Sequence, residues 1–208
     1  KILRPIAIDI NLVDIPDDRK QHDGSVPLIG GLSIYFGLMV AIYITQPLPD
    51  NLFYLLMTAS LVLLIGLLDD LKDLGIWPRI LVQIISCLLL VLFTDTCITS
   101  LGSPFGSNEI ELGKLAIPFT IFAVVGLVNA FNMSDGIDGL AGSLAIVTII
   151  GIILFDAVTK NPPLLGFLLM FSAALLPYLF TNLISAQKIF LGDAGSLLIG
   201  FILAWILV

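Results

Sequence analysis

Four short polar segments interrupt an otherwise apolar chain of 208 residues: DDLKD at 69–73, NAFNMSDGID at 129–138, FLGDAGS at 190–196 and DDRKQHDG at 17–24. Each carries side chains able to bind a cation or move a proton. On a helix Asp69 and Asp73 stand four residues apart and Asp70 and Asp73 three apart, so the third carboxylate lies near both of the others. Carboxylates that close repel one another unless a cation joins them or their pKa values rise, which is the signature of metal or acid–base chemistry. The plainer alternative is a solvated helix end, with Lys72 and Arg79 as local counter-charges.

In the second segment Asn129, Asn132, Asp135 and Asp138 recur every third residue. Steps of three on a straight helix drift by about 60° each, so the four share a target only if the helix stops. Gly136 and Gly139 supply that stop and allow backbone to approach a ligand closely. Amide and carboxylate oxygens suit a hard cation such as Mg²⁺, or the donors of a ribose or base. Capping of the next helix is the simpler role open to them.

The third segment sets Asp193 a few residues into an apolar run, where an unpaired carboxylate is costly, and this makes it the best metal-ligand candidate in the chain. In the fourth, Arg19, Lys20 and His22 could hold phosphate. A basic loop beside a membrane carries such residues in any case.

What must position these segments is a membrane. Hydrophobic residues make up 58% of the chain and charged ones 12%, with a mean hydropathy of +1.10, far from the soluble average of roughly 25% charged. A formal charge of −7 argues against nucleic acid as a partner. It also leaves any anionic substrate in need of an intermediary, and a divalent cation bridging carboxylates to phosphate would invert the sign. Cys87 and Cys97 do not read as a metal or redox pair.

Apolar runs at 28–45, 52–68, 76–94, 115–131, 139–158, 163–181 and 189–208 are each about 17 to 21 residues, close to what a bilayer requires. The expected fold is therefore all-α: a polytopic transmembrane bundle of about seven spans, forming one transmembrane helical domain over residues 1–208. KILRPIAIDINLV at the amino end reads as the end of another helix. Pro118 and Pro177 fall within runs and predict kinks. Trp77, at the start of a run, suits an interface. A start without Met and an end within an apolar run suggest a fragment of a longer chain.

Across alternate loops, Lys1, Arg4, Arg19, Lys20, Lys72, Arg79 and Lys188 share one side, and only Lys114 and Lys160 the other. The positive-inside rule puts the first set in the cytoplasm. The same alternation brings all four polar segments to that face, although they are far apart in sequence.

These residues resemble the polyprenyl-phosphate N-acetylhexosamine-1-phosphate transferases, the family of MraY and WecA (glycosyltransferase family 4). DDLKD is similar to its DDxxD, NAFNMSDGIDGLAG to its NxxNxxDGIDGL, FLGDAGSLLIGF to its FxGDAGS helix start, and DDRKQHDGSVPLIGG to its first loop. The resemblance implies transfer of a sugar 1-phosphate, N-acetylglucosamine or a related sugar, from a UDP-sugar to undecaprenyl phosphate. UMP is released, and the product initiates cell-envelope polysaccharide synthesis of the O-antigen or common-antigen type. The implied cofactor is Mg²⁺, with Mn²⁺ as a substitute, and the implied place is the bacterial inner membrane with the site cytoplasmic; a homodimer is allowed.

Carried onto this chain, Asn132 and Asp193 look like metal ligands and Asp69 and Asp70 like the catalytic acids. Lys20, His22, Asp73, Asn129, Asp135 and Asp138 look like substrate contacts. Asp73 and the first loop resemble the WecA branch more than the MraY branch, whose phospho-MurNAc-pentapeptide transfer is the nearest alternative. Two other classes fit less well. An intramembrane aspartyl protease would need Gly where Phe190 stands, and a cation-coupled transporter would place acids near mid-membrane within inverted repeats.

Overall fold

The computed structural model describes residues 3–15, 24–45, 48–104, 106, 109–155 and 162–208. Eight α-helices occur among them: α1 Leu3–Asp9, α2 Gly30–Thr45, α3 Asp50–Lys72, α4 Ile76–Thr94, α5 Ala116–Ser134, α6 Leu140–Leu154, α7 Pro162–Leu183 and α8 Gly192–Ile206. The architecture is helical apart from one two-residue antiparallel pair, β1 Val13–Asp14 with β2 Val26–Pro27. Four segments are long and apolar enough to cross a membrane: Asp50–Lys72, Ile76–Thr94, Gly113–Ser134 and Pro163–Leu183. The apolar helices α2, α6 and α8 are shorter. The chain is an integral membrane protein.

Each expected apolar run corresponds to a helix, with boundaries moved by a few residues. Trp77 is exposed, as an interfacial aromatic should be. The two prolines expected to kink their helices stand in different settings. Pro118 falls in the first turn of α5, where its missing N–H has no intrahelical partner to lose. Pro177 lies inside α7, which continues through it.

Helix α8 is the axis of the bundle, and α2, α3, α5 and α6 all touch it. Leu197, Leu198, Ile199, Phe201, Ile202 and Leu203 are all fully buried, so α8 is apolar on every side because every side meets protein. The surrounding helices turn large apolar side chains outward instead, Leu92, Phe122, Val147 and Phe180 among them. In a soluble protein such exposure would be a liability; in lipid it is the solvent-matched face.

Water-driven burial does not hold helices together inside a bilayer, so close backbone packing must. Glycines permit it. A Cβ on Gly66 of α3 would lie 2.6 Å from Ala194 Cα, and one on Gly200 of α8 would lie 2.9 Å from Val128 Cα of α5. Gly31 of α2 abuts the backbone of Gly195 in the same way.

The approach to α2 is fastened to the start of α8 through the main chain. Phe190 N–H donates to Pro27 O (2.9 Å), Gly30 N–H to Phe190 O (2.9 Å) and Gly31 N–H to Leu191 O (3.1 Å). The ends of α3 and α5 and the starts of α4 and α8 meet at this same end of the bundle. The segment between α4 and α5, with its Ser100–Glu111 bridge, lies at the other end of those two helices.

Gly66→Val should force α3 away from α8 and lower stability by on the order of 1–3 kcal/mol. Gly126→Val, which meets nothing within 4 Å, should not. Thermal melts of the two detergent-solubilised variants check the difference.

Candidate active site

The last turn of α3 supplies Asp69 and Asp70, and each carboxylate is committed to a different task. Asp70 Oδ1 accepts the Asp193 N–H (2.7 Å) and Oδ2 accepts the Ala194 N–H (3.0 Å). These N–H groups open α8 and have no partners within their own helix. Leu191, which precedes α8, offers no side-chain cap, so Asp70 caps α8 from another helix and puts negative charge at its positive end. Gly192 makes room: its φ is +73°, and a Cβ there would lie 2.6 Å from Asp70 Oδ2.

Asp193 stands in the first turn of α8. Asn132 Nδ2 of α5 donates to its Oδ1 and also to Ser196 Oγ (3.0 Å). Arg79 Nη1 of α4 donates to Asp193 Oδ2 (3.1 Å) and to Asp69 Oδ2 (2.6 Å). A single guanidinium nitrogen therefore stands between two carboxylates. Asp69 is only 5% exposed, and its Oδ1 is buried with no hydrogen-bond partner among the described residues.

A cavity of about 960 Å³ opens over this cluster. Asp70, Asn132, Asp135 and Asp193 line it, with Asp138 and Lys188 also on its wall and Arg4, Asp14 and Ser25 contributed by the amino-terminal segments. Lys188 Nζ donates to Asp138 Oδ2, joining the turn before α6 to the approach to α8. Asn182, 2% exposed, donates through Nδ2 to Ile189 O (3.0 Å), while its Oδ1 has no partner among the described residues.

Not every expected residue reaches the cavity. Asp69 does not line it and is paired with Arg79 instead. Asp73 does not either: α3 stops at Lys72, and Asp73 forms its left-handed C-cap (φ 49°), exposed, with its N–H on Asp69 O. The expected meeting of three carboxylates on one helix face therefore does not occur. Asn129 lies one turn deeper in α5, where Nδ2 donates to Gln83 Oε1 (2.8 Å) and Val125 O (2.8 Å). Lys20 and His22 lie outside the described residues.

Burial, together with the nearby charges of Asp193, Asp70 and Asp138, pushes the Asp135 carboxyl up to about 8. This is a negatively loaded cavity in which an added cation would be favoured. Among the described residues no three His, Cys, Asp or Glu side chains group as a metal site. Mg²⁺ ordinarily takes one or two carboxylates and completes its shell with water and substrate phosphate. The oxygens of Asp193 and Asn132, both on the cavity wall, are hard donors of the required kind.

The residue missed as a participant is Arg79. Its signal is its place in the first turn of an apolar helix, where a charge is costly without a partner. Lys188 and Asn182 carry no comparable signal, being single polar residues of common type, and Ser196 lies in FLGDAGS in the shadow of Asp193.

The profile of glycosyl transferase family 4 matches residues 52–208. The chain belongs to this family. Among curated glycosyl transferase family 4 relatives, undecaprenyl-phosphate alpha-N-acetylglucosaminyl 1-phosphate transferase of Yersinia pestis is 40% identical over 99% of this chain and 57% of its own length. The enzyme of the same name from Escherichia coli K12 is 40% identical over 98% of this chain and 56% of its own. A probable undecaprenyl-phosphate N-acetylglucosaminyl 1-phosphate transferase of Bacillus subtilis is 32% identical over 96% of this chain and 56% of its own. The chain thus spans a little over half the length of these relatives.

Two outcomes are expected at the site. Asp70→Ala removes the cap of α8 and should lower stability by about 1–2 kcal/mol. Asp70→Asn, which keeps one acceptor oxygen, should cost less, and equal melts of the two would remove the capping role. The second concerns pH. Asp135 keeps its proton in the folded chain up to about pH 8 but loses it near pH 4 when unfolded. The folded state binds more protons across that interval, so its stability falls as pH rises through it. Cation binding favours the ionised form, so added Mg²⁺ should displace protons and bind more tightly as pH rises from about 6 to 8. Calorimetry in buffers of different ionisation enthalpy should show this, and Asp135→Asn should weaken it.

Proposed function

We propose that this chain carries the catalytic centre of a bacterial inner-membrane enzyme that moves N-acetylglucosamine 1-phosphate from UDP-N-acetylglucosamine to undecaprenyl phosphate, releasing UMP. The observation that carries this reading is the convergence of Asp70, Asn132, Asp135 and Asp193, from three separate segments, in one cavity at the helix ends. The relatives' names supply the substrates, and the Lys and Arg distribution supports a cytoplasmic cavity.

A site at helix ends suits a reaction between one water-soluble and one lipid-anchored reactant, since the lipid's phosphate lies at that depth. In the proposed reaction an oxygen of the lipid phosphate forms a bond to the β-phosphorus of the nucleotide sugar. The bond from that phosphorus to the bridging oxygen breaks, and UMP leaves with the electron pair. Mg²⁺, held by Asp193 and Asn132, would draw charge from the diphosphate and stabilise the leaving group.

The lipid phosphate needs little activation, because a phosphate monoester with a second pKa near 6 is mostly dianionic at neutral pH. Direct attack is favoured over a covalent aspartyl route. Both oxygens of Asp70 already accept backbone N–H bonds, and Asp69 is held by Arg79 outside the cavity lining. Asp70 therefore orients Asp193, and Arg79 fixes the rotamers of Asp69 and Asp193 together. Asp135 and Asp138, with Lys188 beside them, face the remaining volume and are placed to contact the nucleotide.

The test is Mg²⁺-dependent UMP release from UDP-N-acetylglucosamine and undecaprenyl phosphate in membranes bearing the full chain. Asp193→Asn should lower turnover by about 10²-fold or more, as loss of a charge-stabilising group does. Near-full Mg²⁺-dependent activity in that variant would remove the assignment of Asp193.

A further inference from the structure

Helix α4 buries polar side chains where a lipid-embedded helix has least need of them. Gln83 and Ser86 are both 0% exposed, on the same face as Arg79, while Leu81, Ile85 and Leu92 on the other faces are open. Gln83 Oε1 accepts from Asn129 Nδ2 at 2.8 Å, the one side-chain hydrogen bond joining α4 to α5 among the described residues. Gln83 Nε2 and Ser86 Oγ have no partner among them.

Stability does not account for Gln83. A buried amide left half unsatisfied is a cost, and a single hydrogen bond between membrane helices returns little. Asn129 would not be stranded without it, since Nδ2 also donates to Val125 O. An apolar residue at 83 would serve the fold as well or better. What the link provides is register. Arg79 lies one turn from Gln83 toward the cavity, and Asn132 one turn from Asn129 in the same sense. Those two side chains reach the opposite oxygens of Asp193, Arg79 on Oδ2 and Asn132 on Oδ1.

We propose that Gln83 is a positioning residue: its hydrogen bond to Asn129 fixes α4 against α5, so that Arg79 and Asn132 hold Asp193 from both sides in its working orientation. Gln83 itself does not line the cavity. This role rests on the transferase reading above. A slip of one residue on α4 would shift Arg79 by about 1.5 Å along the helix and turn it by about 100°. Misplacement of about 1 Å at a distance from the chemistry is enough to cost up to about 10²-fold in rate.

The test uses the full chain in membranes, with UMP release as the rate and thermal melting as the measure of fold. Gln83→Leu should melt no lower than the unaltered protein, yet lose about 10- to 100-fold in kcat. Its KM for the nucleotide sugar should stay within about twofold, because the cavity wall is untouched. Gln83→Asn is one methylene too short to reach Asn129 and should lose a similar factor. Adding Asn129→Gln restores the span and should recover about tenfold of it, whereas adding Asn129→Leu, which fills the space without the amide, should not.

Turnover of Gln83→Leu within about twofold of the unaltered protein would overturn the role. So would a swapped pair no more active than Gln83→Asn alone, and that comparison decides the matter even if the leucine variant fails to fold. Absence of UMP release from the unaltered protein would overturn the transferase reading and this role with it. Normal release that is insensitive to position 83 overturns the positioning role alone.

Discussion

The site depends on how the start of α8 is held, and one carboxylate caps it. Asp70 reaches from α3 to two backbone N–H groups of another helix. Hydrogen bonds to a charged acceptor contribute about 1.5–3 kcal/mol, and more where water is excluded. Gly66, one turn earlier on the same face, lets the two backbones touch at Ala194. Removal of a side chain at 66 and provision of one at 70 are two halves of one contact. Everything that meets Asp193 takes its bearings from it.

The acids are divided by what already claims them. Asp70 is occupied by the backbone of α8, and Asp69 by Arg79 in a nearly dry pocket. Asp193 is shared between Asn132 and Arg79 but keeps about a third of its side chain accessible. Asp135 has a strongly raised affinity for protons. By environment alone, the four aspartates thus stand in four different settings. Composition cannot make such a distinction; neighbours can.

Much of this was legible in the sequence. The seven apolar runs became helices because a bilayer leaves the backbone few other choices. Residues of DDLKD, NAFNMSDGID and FLGDAGS then meet along one cavity. The details that escaped are those set by a single dihedral or a single facing helix. Asp73 turned away because a left-handed residue ended α3 one position too soon. Asn129 went to Gln83 because its place on α5 faces α4 rather than the opening. Arg79 was readable only as a nearby charge, since its two carboxylate partners come from sequence positions 114 and 10 residues away. The β1–β2 pair, two residues a side, is too short to leave a pattern.

The floor of the cavity and its border have different origins. The floor is built from helix ends locked onto α8, whereas much of the border comes from connecting stretches: Asp14 and Ser25 around β1 and β2, Asp138 before α6, and Lys188 ahead of α8. Replacements in those stretches leave the helix contacts alone. A change in those stretches can therefore alter what the cavity admits without disturbing the helix packing beneath it.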